Sequence, residues 1–131
     1  MRVIGLMSGT SADGIDAVLA EIDEQDGQLR MEQMAAASLD WPPAERDEIF
    51  RLFTAAVDAR AICQANAQIG RRFAQAALAV IDAAGLIPAD VDLIGSHGQT
   101  IWQEVVDGKG VSTPASARSA TITADTADHT P

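Results

Sequence analysis

Apolar positions fall into separated blocks along the 131 residues, and each block has its own period. "RVIGLM" at 2–7 is a short apolar run, the pattern of a buried strand. "IDAVLAEI" at 15–22 alternates imperfectly and predicts a second strand. The connection between them is short and Gly-rich, so the two predict a β-hairpin. Asp26-Gly27 marks the next turn, and a third strand runs from Leu29 to about Leu39. Its apolar parity changes between Met31 and Met34, which predicts a bulge or a register fault. Two prolines after Trp41, followed by Glu45, Asp47 and Glu48, predict a helix start. Ile49, Phe50, Phe53 and Val57 are its expected buried face. Asp58 is placed to cap a second helix running to about Ala84, where Ile62, Ile69, Phe73, Ala76, Ala77, Val80 and Ala84 recur at three- and four-residue spacing. Gly85 and Pro88 end it. "VDLIGSHGQTIW" at 91–102 predicts a strand leading into a polar loop. A strand reached after a long helix favours a parallel crossover. The fold class expected from this order is α/β with a mixed sheet.

From Asp107 the pattern fades. Residues 107–131 are rich in Thr, Ala and Ser, with Val111 and Ile122 as the sizeable apolar residues. This predicts a domain over 1–106 and a low-order tail over 107–131.

Charge and composition narrow the function. The formal net charge is −10, with 19 acidic against 9 basic residues, and Lys109 is the only lysine. No basic stripe is available for nucleic acid, and an anionic membrane surface would repel the chain. An anionic small molecule would have to be held by backbone N–H groups, hydroxyls or a metal ion. The single cysteine, Cys63, excludes an internal disulfide and is expected to be a buried structural thiol. No signal peptide or membrane span is apparent, so the expected location is the cytoplasm. The aromatic residues, Trp41 and Trp102 included, are expected in the core, and Arg71-Arg72 on a solvated helix face. His129 is expected to be solvated in the tail.

Two polar stretches stand out. "SGTSADG" at 8–14 would form the tip of the first hairpin. Small residues let backbone N–H groups approach a ligand, Gly9 and Gly14 are free to take positive φ, and Ser8, Thr10 and Ser11 add hydroxyls. Neither the Walker A pattern nor the Rossmann fingerprint is present. Asp13 and Asp16 would repel bare phosphate but suit a magnesium ion shared with phosphate oxygens. The same residues also make an ordinary polar hairpin with Asp13-Gly14 as its turn. The second stretch, "GSHGQT" at 95–100, follows a strand end, where ligands of open α/β sheets gather. Ser96, His97, Gln99 and Thr100 offer donors and acceptors for sugar hydroxyls, or simply satisfy the loop backbone. His97 has no Cys or His at zinc spacing.

"MSGTSADGIDAVL" followed by "DLIGSHGQTIW" resembles the N-terminal part of the anhydro-N-acetylmuramic acid kinases, over roughly residues 2–102. The resemblance implies a ribonuclease-H-like N-terminal domain of an actin-like sugar kinase. It implies ATP and Mg2+ as cofactors and 1,6-anhydro-N-acetylmuramic acid as acceptor, opened with water and phosphorylated on its 6-hydroxyl. It assigns Gly9, Thr10, Ser11, Ala12, Asp13, Gly14, Ile15 and Asp16 to the ATP-phosphate loop, with Asp13 and Asp16 beside the metal. Ser96, His97, Gly98, Gln99 and Thr100 would shape the sugar site. It allows a homodimer for the full-length family. The family's catalytic aspartate lies beyond the matched region, so the chain is expected to be catalytically incomplete by itself. A non-catalytic nucleotide-binding module and an inactive truncated product stay open as alternatives.

Overall fold

The computed structural model describes residues 1–54, 56–106, 108–115 and 119–120. Its elements are strands β1 (Arg2–Ser8), β2 (Gly14–Gln25) and β3 (Gln28–Asp40), helices α1 (Pro43–Thr54) and α2 (Ala59–Ala83), a 3-10 turn (Pro88–Asp90), and strands β4 (Leu93–Val106), β5 (Lys109–Ala115) and β6 (Ser119–Ala120). The sheet runs β3-β2-β1-β4-β5, with β6 on β4. The pairs β1–β2 and β2–β3 are antiparallel, and β1–β4 is the parallel crossover pair. This mixed sheet with two helices is in keeping with the ribonuclease-H-like α/β domain expected from the sequence.

Local chemistry explains most boundaries. Asp26 and Gly27 both take positive φ, 55° and 74°, the requirement of the two-residue hairpin that joins β2 to β3. In that hairpin Leu19 pairs with Ala35 and Ala20 with Gln33, so Met34 is the extra residue of a bulge. The parity change in the sequence marks it. The side-chain carboxylate of Asp58 accepts from the Ala61 N–H at 2.8 Å and caps α2. At the other end Gly85, at φ 68°, allows Leu86 N–H to reach Ile81 O and Gly85 N–H to reach Asp82 O, a Schellman closure.

One face of the sheet buries Ile4, Leu6, Ile15, Ala17 and Leu19 against Ile49 and Leu52 of α1 and Ile69, Phe73, Ala76, Ala77, Val80 and Ile81 of α2. Trp41 packs in the same cluster, 6.5 Å from Phe73 between ring centroids. On the opposite face Met7, Asp16 and Val18 are exposed. Some packing expectations are corrected. Cys63, Ile62 and Trp102 are exposed rather than buried, and Leu52 does more of the burying than Phe50 or Phe53. Cys63 and Ile62 lie in the first turns of α2, before the part of the helix that lines the cluster.

The low-order stretch expected from Asp107 does not hold where the chain is described. Lys109–Ala115 pairs antiparallel with β4 as a hairpin, and Ser119–Ala120 adds two more pairs. An edge strand draws on backbone hydrogen bonds and the β-propensity of Val and Thr, without large apolar side chains, and an edge tolerates Pro114. Residues 121–131, with Ile122 and His129, lie outside the described residues.

Arg72 is not on a solvated face. Its Nε and Nη2 donate to Glu45 Oε2 and Oε1 at 2.7 and 2.8 Å, tying α2 to the first turn of α1. This bidentate hydrogen bond holds the Glu45 carboxyl below its ordinary value of 4.5 against the opposing effect of burial. A depressed folded value means that the pair's stabilisation is complete above the unfolded value and is lost as pH falls through the folded one. Glu45→Gln should therefore lower stability at neutral pH and leave a shallower loss of stability below pH 4.5, followed by urea midpoints across that range.

Candidate nucleotide-phosphate site

The two polar stretches meet. Because β1 and β4 run parallel, Ser8 at the end of β1 pairs with Gln99 within β4. "GSHGQT" is not a loop after a strand but a bulged part of β4. Between Leu6↔Ser96 and Ser8↔Gln99, β1 advances two residues and β4 three. Gly98 takes φ 75° in that bulge, and its N–H is received by Ser96 Oγ at 3.1 Å. Antiparallel pairing with β5 carries β4 on to Val106.

Gln99 is fully buried, and its amide joins the stretches. Nε2 donates to Gly9 O at 2.8 Å and to Thr100 O at 2.9 Å. With both amide hydrogens committed to carbonyls, Oε1 must face the Ser8 hydroxyl, 2.6 Å away. Ser8 Oγ also lies 2.7 Å from Gly14 O, so two acceptors share its single proton. The Trp41 indole N–H completes the node, donating to Ser8 Oγ at 3.1 Å. Ser8 and Gln99 therefore brace the hairpin and are unavailable to a ligand. Thr100 is likewise buried and Gly98 enclosed, which leaves exposed His97 and half-buried Ser96 as the residues of this group within a ligand's reach. The His97 Nδ1 lies 3.2 Å from Gly98 O.

The tip between the strands, residues 9–13, is closed by Ala12 N–H donating to Gly9 O at 3.2 Å. The left-handed residue is Ala12, at φ 48°, and not Gly9 or Gly14 as the sequence suggested. Ala12 is fully buried, so packing of its methyl group fixes it in place. Gly14 is tightly packed instead: an added Cβ would lie 3.1 Å from Leu39 O and 3.5 Å from Leu39 C. At Gly9 an added Cβ would meet nothing within 4 Å. The side chains of Thr10, Ser11, Asp13 and Asp16 are exposed, while Ile15 belongs to the core. Among the described residues, the N–H groups of Thr10, Ser11 and Asp13 have no acceptor.

Sequence reasoning missed Arg46. From α1 its Nε donates to Ala12 O at 3.0 Å, and Nη2 donates to Ser11 O and to Asp13 Oδ1, both at 3.2 Å. Asp16 Oδ1 accepts from Ser38 Oγ at 2.9 Å. Both acids thus have a protein partner on Oδ1, and among the described residues no three His, Cys, Asp or Glu side chains gather as a metal cluster. Their exposed carboxylates are of the kind magnesium takes, one or two at a time, completing its shell with phosphate and water oxygens. A concavity of about 330 Å³ between Glu21, Asp23, Gln25, Arg30, Met31 and Glu32 lies at the far end of β2 and β3, and acids make up half of its lining.

A model of the anhydro-N-acetylmuramic acid kinase family matches residues 1–127. The chain belongs to this family. It is 45% identical over 103 residues to the anhydro-N-acetylmuramic acid kinase of Caldanaerobacter subterraneus, covering 76% of this chain and 26% of that protein. It is 48% identical over 100 residues to the kinase of the same name from Bordetella pertussis, covering 75% of this chain and 25% of the other. The chain thus spans about a quarter of the length of the curated relatives it matches. The family match extends past residue 106 into the stretch expected to diverge, in keeping with β5 and β6 on the sheet. No helix among the described residues is long and apolar enough to cross a membrane.

Proposed function

We propose that the chain supplies the ATP-phosphate-binding part of a kinase that phosphorylates 1,6-anhydro-N-acetylmuramic acid, with water opening the anhydro bridge, to give N-acetylmuramic acid 6-phosphate and ADP. The observation that carries this reading is the polarity of the tip. Its carbonyls at Gly9, Ser11 and Ala12 are held inward by Gln99 and Arg46, and the N–H groups of Thr10, Ser11 and Asp13 are left for an outside acceptor. A triphosphate satisfies such donors, and phosphoryl transfer depends mainly on positioning and on stabilising charge. Thr10 and Ser11 hydroxyls add two further donors. Asp13 and Asp16 would hold Mg2+, which supplies charge neutralisation between the phosphates. Exposed His97, with Ser96, would face the acceptor sugar, one strand from the tip. The acidic surface and the family's names fit a small-molecule kinase of the cytoplasm.

The 131 residues alone should bind Mg-ATP and show no turnover with the anhydro sugar. Turnover should appear when residues 1–102 replace the matched region of the Bordetella pertussis kinase. In that chimera Thr10→Ala or Ser11→Ala should raise the KM for ATP about tenfold, the scale of one lost charge-assisted hydrogen bond. Turnover by the 131 residues alone, or an unchanged KM in both variants, would refute the assignment.

A further inference from the structure

We propose that Arg46 is the positioning residue of the phosphate-binding tip, acting on nucleotide affinity through the backbone it holds and not by touching the nucleotide. The proposal rests on the reading of the tip given above. Nε and Nη2 of its guanidinium together carry three hydrogens, and all three are engaged: one on Ala12 O, one on Ser11 O and one on Asp13 Oδ1. These acceptors lie in three consecutive residues, a spacing that a planar fork meets and a single ammonium does not.

Each contact has a consequence for the opposite side of the loop. In a trans peptide the C=O and the following N–H point in opposite directions. Holding Ala12 O towards α1 therefore turns the Asp13 N–H away from α1. Holding Ser11 O in the same direction sends the Ala12 N–H to Gly9 O, the bond that closes the tip at 3.2 Å. The Ala12 φ of 48° is a conformation an alanine adopts only when its surroundings impose it. The two held carbonyls flank that residue. The third contact sets the Asp13 carboxylate against a positive charge, which reduces its repulsion of a phosphate.

Arg46 is itself held. Its guanidinium carbon lies 4.9 Å from the Phe50 ring centroid, one turn along α1. The preceding residue, Glu45, is fixed to α2 by the bidentate pair with Arg72. The guanidinium is thus presented by a helix end that the core cluster and an ion pair anchor together.

The test uses the 131-residue chain, isotope-labelled for NMR, with Mg-ATP as the probe and with Arg46→Ala and Arg46→Lys as variants. In the ligand-free chain, Arg46→Ala should move the Ala12 carbon shifts away from values typical of positive φ, while Phe73 and the rest of the core keep theirs. The Kd for Mg-ATP should rise about tenfold in Arg46→Ala. Arg46→Lys should recover only part of that loss, because it restores charge without the fork. Unaltered Ala12 shifts, a Kd within about twofold of the parent in Arg46→Ala, or full recovery by lysine would overturn the proposal, full recovery meaning that charge alone matters. If Arg46→Ala loosens the tip but Mg-ATP leaves the tip amides of the parent chain unmoved, the phosphate reading itself fails and takes this proposal with it. That outcome is distinguishable, because the ligand-free shifts would still report the clamp.

Discussion

Gln99→Ala should destabilise the chain by about 3–5 kcal/mol, more than any exposed residue of either motif. The size follows from what the side chain leaves behind. Thr100 O loses the Gln99 amide as donor, Gly9 O keeps only the longer bond from Ala12 N–H, and Ser8 Oγ loses its contact with the Gln99 amide oxygen. A buried acceptor without a partner costs roughly 1–3 kcal/mol, and the cavity left by a fully buried side chain adds to it. Urea denaturation followed by circular dichroism measures the change. Gln99→Glu sharpens the test. It keeps the volume and the oxygen facing Ser8 but turns a second oxygen towards two carbonyls. It should be at least as damaging as alanine. A midpoint unchanged in both variants would mean that the node does not hold the hairpin to β4.

Gly9→Val should do the reverse, sparing the fold and removing the ligand. An added Cβ at Gly9 meets nothing within 4 Å, and Gly9 is not among the glycines of positive φ. Neither packing nor backbone conformation therefore requires a glycine there, and stability should stay within about 0.5 kcal/mol of the parent. On the proposed reading the empty volume is where phosphate oxygens approach the backbone. Branched carbon in that space should weaken Mg-ATP binding at least about tenfold, the scale of one or more lost charge-assisted hydrogen bonds. Gly14→Ala is the matched control. Its methyl group would press on Leu39 backbone atoms from 3.1 Å, so it should cost about 1–3 kcal/mol of stability as overpacking. Calorimetric titration with Mg-ATP beside thermal unfolding separates the two. Equal loss of stability in both variants would remove the functional explanation of Gly9.

Elements built from local rules were legible in the sequence. The Asp26-Gly27 turn, the bulge at Met34, the proline-led start of α1, the Asp58 cap and the Gly85 closure each depend on a few adjacent residues, and each stands where the pattern put it. Legibility fell where partners are distant in the chain. Ser8 and Gln99 are 91 residues apart, and nothing local in "GSHGQT" distinguishes a glutamine facing a sugar from one turned inward. Arg46 lies 33 residues from Asp13 on α1, two strands after the tip, where charge reads as solubility. One signal was present: an arginine in the first turn of a helix is unfavourable to the helix dipole, so Arg46 at that position asks for a partner elsewhere. The positive φ was assigned to glycines on intrinsic preference and fell on Ala12, because burial of a methyl group and two held carbonyls outweigh that preference. The strand over 109–115 escaped because its pairing needs an edge of β4, which the sequence alone does not display.

A crystal structure of the chain with magnesium and a non-hydrolysable ATP analogue tests the central claim most directly. The account predicts phosphate oxygens about 2.7–3.2 Å from the N–H groups of Thr10, Ser11 and Asp13, with the Gln99 node and the Arg46 clamp unchanged behind them. A nucleotide bound with its phosphates away from Gly9–Asp13 would contradict it.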